Sequence, residues 1–240
     1  MSRIRTVMSR ELGAYFHSAI AYVFLLVFAG TALVSFFNLE NFFSRGIADL
    51  RGLFDALPVL MVLLVPALTM RLWAEEQKQG TIEVLLTLPA RLHELVLGKF
   101  LASWVLLAVG IGLTLSLPAT VAMLGDLDAG PMIGGYLAAL LLGAAYLAIG
   151  QFVSATTENQ ILAFIVTLVV CLGLYGVGVE AFTGLFPDRV AMLLRAIGSG
   201  SRFESIARGV IDLGDLVYYL SLAGFFLLAA GAALRAKRLA

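Results

Sequence analysis

Six stretches of the chain, at about 18–37, 56–73, 99–124, 131–154, 160–180 and 215–234, are apolar around their whole circumference and long enough to cross a bilayer. A helix rises about 1.5 Å per residue, so roughly 20 apolar residues span a hydrocarbon core of about 30 Å. In lipid every backbone N–H and C=O must be bonded internally, which leaves the helix as the natural spanning element. The expected fold is all-α: a polytopic membrane protein of six transmembrane helices in a single domain, 1–240. Composition agrees, since 61% of the 240 residues are hydrophobic and 13% charged, where a soluble domain is about half apolar and a quarter charged. Gly and Pro occur inside the spans (Pro58, Pro66, Gly110, Gly112, Pro118, Gly143), as neighbouring helices permit. Gly173, Gly176 and Gly178 are expected to allow close helix contact.

The first apolar run, Ala19 to Phe37, exceeds the roughly 7–15 residues of a signal-peptide core. It reads as a retained span. Charge sets the orientation. With both termini cytoplasmic, ten basic residues fall inside (Arg3, Arg5, Arg10, Arg71, Lys78, Arg91, Lys99, Arg235, Lys237, Arg238) and six outside (Arg45, Arg51, Arg189, Arg195, Arg202, Arg208). The positive-inside bias favours N-in and C-in.

Several classes of function lack their residues. No ionisable side chain sits near the middle of a span, where ion-coupled pumps keep their relays. The only Gly-Lys pair, Gly98-Lys99, fails the phosphate-loop pattern, with His93 in the first glycine place and Phe100 after the lysine. His17 and His93 stand apart and offer no metal-ligand cluster, and Cys171 is single and lies in an apolar run. No Ser/His/Asp grouping has motif context. With 16 basic and 16 acidic residues, no field points to nucleic acid. The chain has no catalytic site or energy source of its own on this reading, so a partner is expected to supply the energy.

The exception to this apolar pattern is RLWAEEQKQGTIEVLLTLPAR, residues 71–91. Glu75 to Gln79 make a polar helix end that Gly80 can close. Thr81 is the expected cap of a new short helix, with Glu83 in its first turn. Ile82, Leu85 and Leu86 share one face of it. Thr87 can cap a further start, with Pro89 in its first turn. The result is a helix–break–helix element over 74–97, at the cytoplasmic surface. Two placements fit: flat on lipid headgroups, or seated in a protein cleft. Glu75, Glu76, Glu83 and Glu94 match the local basic residues, which disfavours anionic lipid and favours the cleft.

The run AEEQKQGTIEVLLTLPARLHELVLGKF resembles the signature of ABC-2-type transporter permeases, A-E-E-x-x-x-G-T-x-E-x-L-L-x-x-P followed by G-K. Glu75, Glu76, Gly80, Thr81, Glu83, Leu85, Leu86, Pro89, Gly98 and Lys99 match position by position. The six-span plan agrees along the whole chain. The resemblance implies that this stretch holds a coupling helix seated on a cytoplasmic ATPase, with Glu75, Glu76, Gly80, Thr81, Ile82, Glu83, Leu85, Leu86 and Pro89 at the contact. It implies a permease subunit, an exporter, that forms its pathway with a second permease chain, identical or homologous. Two ATPase copies would bind ATP and Mg, leaving no cofactor and no enzyme activity in this chain. The implied location is the bacterial cytoplasmic (inner) membrane. RFESIARGVIDLGDLVYYLS, 202–221, is similar to the gliding-motility-associated branch, near the copper-processing permease of nitrous-oxide reductase maturation. An auxiliary membrane protein with a periplasmic domain is left open as a further partner.

Residues 181–214 are long for a turn and too polar to span. Phe203, Ile206, Ala207, Val210 and Ile211 form one apolar stripe at helical spacing. Ser201 and Glu204 make a capping box at its start, and Asp215 is the expected cap of the last span. RVAMLLRAI, 189–197, reads as a second short amphipathic piece. ABC-2 relatives have short re-entrant helices here; the resemblance makes Phe203, Ile206, Val210, Arg202 and Arg208 gate candidates. The alternative is two surface helices that shield the bundle. Arg195, Arg202 and Arg208 could meet anionic substrate or pair with Asp188, Glu204 and Asp212. An uncharged bundle suits lipid-like, glycan or amphipathic cargo better than a small ion. A different class of function, a membrane anchor or mechanotransmitter scaffold for an ATPase, calls for a large extracytoplasmic domain, and the short outer loops provide none.

Overall fold

A computed structural model describes residues 3–39, 49–82 and 91–239. The described residues form helices and no strand: α1 (Arg3–His17), α2 (Ala19–Val34, continued by a π turn, Ser35–Leu39), α3 (Arg51–Thr69), α4 (Ala74–Lys78), α5 (Leu92–Leu113), α6 (Ser116–Leu124), α7 (Ala129–Thr156), α8 (Gln160–Gly178), α9 (Glu180–Thr183), α10 (Asp188–Ile197), α11 (Ser199–Ala207) and α12 (Leu213–Leu239). Six helical stretches are long and apolar enough to cross a membrane: Ala19–Asn38, Arg51–Lys78, Leu92–Leu124, Ala129–Thr156, Gln160–Gly178 and Leu213–Lys237. This is the all-α polytopic fold that the apolar runs require.

Polar side chains at the helix starts fix where the spans begin. Ser18 Oγ accepts from Ile20 N–H (3.4 Å), Asp128 Oδ1 from Gly130 N–H (2.9 Å), and Asn159 Oδ1 from Ile161 N–H (2.9 Å). Each satisfies an amide that would otherwise lack a partner in the first turn. Asp212 does the same for Gly214 N–H at 2.9 Å. The cap of the last span is therefore Asp212, and Asp215, expected there, instead lies in the first turn and accepts from Arg202. The third long helix starts at Leu92, because the Glu94 carboxylate accepts from Arg91 N–H at 2.7 Å. The last residues of the expected 74–97 element are thus the opening turns of α5.

α7 is the centre of the bundle. α12, α3, α11, α5 and α8 all pack against it. Its faces are lined with small residues, so neighbours approach closely. A Cβ on Gly134 would stand 2.2 Å from the Ile206 carbonyl oxygen, and one on Gly150 would stand 2.1 Å from Thr69 Oγ1. A Cβ on Gly178 of α8 would stand 2.9–3.0 Å from the backbone of residues 198–201, whereas Gly173 and Gly176 have nothing within 4 Å of a Cβ position. Of the three glycines expected to permit contact in α8, one does so in this structure. The main core runs through α2, α3, α5, α7 and α8, with Phe28, Met61, Leu107, Leu142 and Tyr146 fully buried. α8 and α12 show wide apolar faces outward, including Ile161, Val169, Leu220 and Leu228. Such faces suit a hydrocarbon surrounding.

The segment before the last span departs from expectation. α11 begins at Ser199 with Gly198 as its cap, three residues before the expected cap Ser201, and Ser201 donates to the Gly198 and Arg195 carbonyls instead of forming a box with Glu204. The helix stops at Ala207, and Gly209 follows at φ 87°, a left-handed turn. The stripe therefore breaks: Phe203 and Ile206 are buried, while Val210 and Ile211 lie past the helix end and are exposed. The break follows from chain geometry. A left-handed residue at 209 turns the backbone away before the next helical turn can form.

The glycine contacts give a stability test. Gly134→Ala would force its Cβ onto a backbone carbonyl and should cost about 1–3 kcal/mol, read as a lower unfolding temperature in detergent. Gly173→Ala, with open space around it, should be neutral or slightly stabilising, because alanine is the better helix former.

Candidate functional site

Charge concentrates at the end of the bundle that carries both termini. Here α3 ends at Thr69, turns through residues 70–73, and resumes as α4. The turn leaves amides and carbonyls without helical partners. One side chain of α7 supplies them: Ser154 Oγ accepts from Trp73 N–H (3.0 Å) and Ala74 N–H (3.1 Å) and donates to the Met70 carbonyl (3.1 Å). Gln77 continues the seam, donating through Nε2 to the carbonyls of Ser154 (3.0 Å) and Ala155 (3.2 Å). Its carbonyl oxygen accepts from Lys237 at the end of α12. Gln151 Nε2 donates to the Val96 carbonyl of α5 at 2.9 Å. The short helix is held by sequence-distant groups on three spans.

Beneath it lies a small apolar cluster of Leu72, Trp73, Leu95, Val96, Ala155, Ala230 and Leu234. Lys99 reaches into this region from α5, with 4% of its side chain exposed. Its ammonium sits 2.9 Å from Glu76 Oε1, 3.4 Å from Glu11 Oε2 and 5.0 Å from the centre of the Trp73 ring. A lysine this deep needs counter-charges close by, and two different elements provide them. Glu76 belongs to α4 and Glu11 to α1. α1 itself lies so close to α5 that a Cβ on Gly98 would stand 2.5 Å from Val7 Cγ1. Tyr15 adds a bond: its hydroxyl is 3.0 Å from Ser103 Oγ, and Ser103 donates to the Lys99 carbonyl at 3.0 Å. Burial pushes the Tyr15 phenol up to about 12, with Glu11 nearby adding to the rise, so it stays a neutral donor at ordinary pH.

The expected coupling residues divide here. Glu76 faces inward to Lys99, whereas Glu75 is turned outward and accepts from Gln79 at 3.3 Å. Gly80 closes the helix end at φ 68° with open space around it. Thr81 is already helical, and its hydroxyl donates back to the Glu76 carbonyl at 3.3 Å instead of capping a new start. Ile82 is half-buried against the small cluster. Glu83, Leu85, Leu86 and Pro89 lie outside the described residues, as does Thr87. Sequence reasoning missed Glu11, Trp73, Gln77, Ser154 and Lys237 as partners of this element. Glu11 carried a signal: it falls on the stripe of Ile4, Val7, Met8 and Tyr15 that α1 turns inward. Ser154 carried none, since its role exists only once α3 and α7 are side by side.

At the opposite end the gate candidates separate. Phe203 and Ile206 are locked in the core, and Val210 is exposed. Arg202 donates to Asp215 at 2.7 Å and lies 4.5 Å over the Tyr218 ring, while Arg208 Nε donates to the Glu204 carbonyl. Arg195 reaches Thr183 Oγ1 at 3.1 Å and Glu180 at 3.9 Å. The expected arginine partners Asp188 and Asp212 are thus replaced by Asp215 and Glu180. Ser199, at the start of α11, is pinned by Tyr146 at 2.9 Å and Tyr219 at 2.7 Å. A cleft of 590 Å³ opens beside Phe203, Glu204 and Arg208, with Asp49, Asp55, Asp126 and Asp128 in its lining. Burial raises the Glu204 carboxyl above the usual carboxylate range; Asp55 and Glu180 add to this, and Arg208 and Arg195 oppose it. Among the described residues no group of three or more potential metal ligands occurs.

Comparison with known families places the chain beside a family of membrane proteins. The family described as ABC-2 family transporter protein aligns with residues 8–193, which takes in the later part of α1 with Glu11, Ser154 and Lys99. No curated protein matches the chain.

The charge network can be tested directly. Lys99→Met leaves two carboxylates facing each other in a partly buried site and should destabilise the bundle by about 3 kcal/mol. It should also loosen α1, so that trypsin cuts faster at Arg5 and Arg10. Adding Glu76→Gln to Lys99→Met should restore part of the loss, because residues in one network are not additive. An unchanged digestion pattern and unfolding temperature in Lys99→Met would show that the network holds nothing.

Proposed function

The chain belongs to the ABC-2 family of transporter proteins, and on that premise we propose that it is the pathway-forming permease of an exporter driven by separate ATPase subunits. It is a multi-pass membrane component of an ABC transporter; in this family ATP hydrolysis belongs to the partner subunits. Our reading places both termini, α4 and the Lys99 network on the cytoplasmic side of a bacterial inner membrane. Two permease chains would pack around a common pathway, and two ATPases would sit beneath them. An auxiliary membrane protein with a periplasmic domain completes the proposed assembly in the gliding-motility-like branch.

One observation supports the mechanism above others. α4 is not a loose loop: Glu76 is bound to Lys99 of α5, Gln77 to α7 and α12, and the Trp73 amide to Ser154. A push on residues 80–90 would therefore move three spans together. An ATPase seated on Gly80–Pro89 would act next to α4, which is tied to three spans, and each nucleotide state would favour one arrangement of the bundle by binding it better. Phe203 and Ile206 would close the far end of the pathway, with Arg202 and Arg208 beside them. Their burial in the core against α7 makes any opening there depend on movement of α11 as a body.

The experiment is a coupling assay on the co-expressed complex. Glu83→Lys places a cation on the docking helix, and Gly80→Pro is incompatible with φ 68° at that position. Both variants should insert normally yet lose ATPase co-purification or permease-stimulated hydrolysis. Retention of both properties in both variants would rule out this stretch as the docking handle.

A further inference from the structure

A second cleft, of 760 Å³, opens on the flank of the bundle between α2 and α3 and runs down to the Lys99 network. Ile20, Val23 and Val27 of α2 and Leu64, Ala67 and Leu68 of α3 wall its upper part. From Ile20 to Val27 the wall rises about 10 Å along the spans. The floor is charged, with Glu11, Arg71, Glu75, Glu76 and Lys99. An apolar slot that ends in a charged floor at the edge of the spans has the polarity of an amphiphile lying parallel to the helices, tail up and head down.

The floor selects the head. Lys99 is already engaged by Glu11 and Glu76. Arg71 is exposed and has no ion pair among the described residues. Glu76 Oε2 is buried and has no donor among the described residues, a cost that a buried carboxylate oxygen rarely carries. Among the described residues Glu75 accepts only from the neutral Gln79 amide. The floor thus presents one uncommitted cation beside uncommitted carboxylate oxygens. That pattern complements a zwitterion whose phosphate and ammonium are a short linker apart.

We propose that this cleft binds a phospholipid with a phosphoethanolamine headgroup, its phosphate on Arg71, its primary ammonium on Glu75 and Glu76, and one acyl chain along the α2–α3 wall. Three N–H donors on the ammonium satisfy the free carboxylate oxygens. A choline head has no such donor, and a glycerol-phosphate head brings only negative charge to a floor already rich in it. The inference goes beyond the transport reading and does not rest on it, because it concerns equilibrium binding to the permease alone.

The test uses the full chain purified in detergent and native mass spectrometry with three lipids of identical acyl chains. Phosphatidylethanolamine should be retained roughly tenfold better than phosphatidylcholine or phosphatidylglycerol, the effect of about one charge-assisted hydrogen bond. Arg71→Gln and Glu75→Gln should each reduce that preference to near parity, and Ala67→Phe, which narrows the wall, should lower retention of all three lipids. The headgroup comparison on the unaltered chain decides the matter even if a variant folds poorly. Equal retention of the three lipids, a preference for phosphatidylglycerol, or an ethanolamine preference that survives both floor substitutions would each overturn the proposal.

Discussion

Lys99 is the group on which the rest of one end of the molecule depends. An ammonium removed from water needs neutralisation within a few ångströms, and the surrounding helices cannot supply it from their own apolar faces. The protein solves this by bringing in a carboxylate from each side. Glu11 comes with α1, and Glu76 with α4. Once those are fixed, Gly98 has to be a glycine so that α1 can lie against α5, and Trp73 has to turn its ring over the ammonium. The Lys99–Glu76 pair thus joins the Ser154, Gln77 and Lys237 bonds in fixing where the short helix sits.

The two ends of the bundle are held by different balances of contact, although the Arg202–Asp215 pair crosses helices at the far end too. At the end with the termini, ions and amide hydrogen bonds cross between helices. At the other end close backbone approach dominates, with Gly134 and Gly178 lying against the α11 segment and its flanks and two tyrosines fastening Ser199. The first kind of contact is sensitive to any change of charge. The second tolerates little change of volume. Between them the middle of the bundle is mostly packed apolar side chains, crossed by the bond from Trp104 Nε1 to the Leu140 carbonyl at 3.2 Å.

Much of this was legible in the sequence. Six apolar runs fixed the class, because lipid leaves a chain few choices. The Glu75–Glu76 pair and Gly80 marked a helix end, and the structure has one there. What stayed hidden depends on partners far away along the chain. That Glu76 would face Lys99 and Glu75 would not is decided by how α4 rotates against α5. The cap at Asp212 and the start of α11 were misjudged for a local reason: Asp212 and Asp215, and Ser199 and Ser201, lie close together in sequence, and several registers satisfy the same rules. α1 was overlooked because its apolar stripe is interrupted by Glu11, which reads as polar until Lys99 is placed beside it.

α12 follows every other described helix along the chain, yet it closes both ends of the bundle. Tyr219 reaches Ser199, Asp215 receives Arg202, Lys237 meets Gln77, and Ala230 and Leu234 complete the small cluster under α4. Until it inserts, the Gln77 oxygen and the guanidinium of Arg202 have lost those partners, and α7 lacks its largest neighbour. Assembly in the bilayer is therefore held incomplete until residues 213–239 are made, and a nascent chain stalled before residue 213 would present quality-control machinery with an open flank where the assembled bundle has a seam.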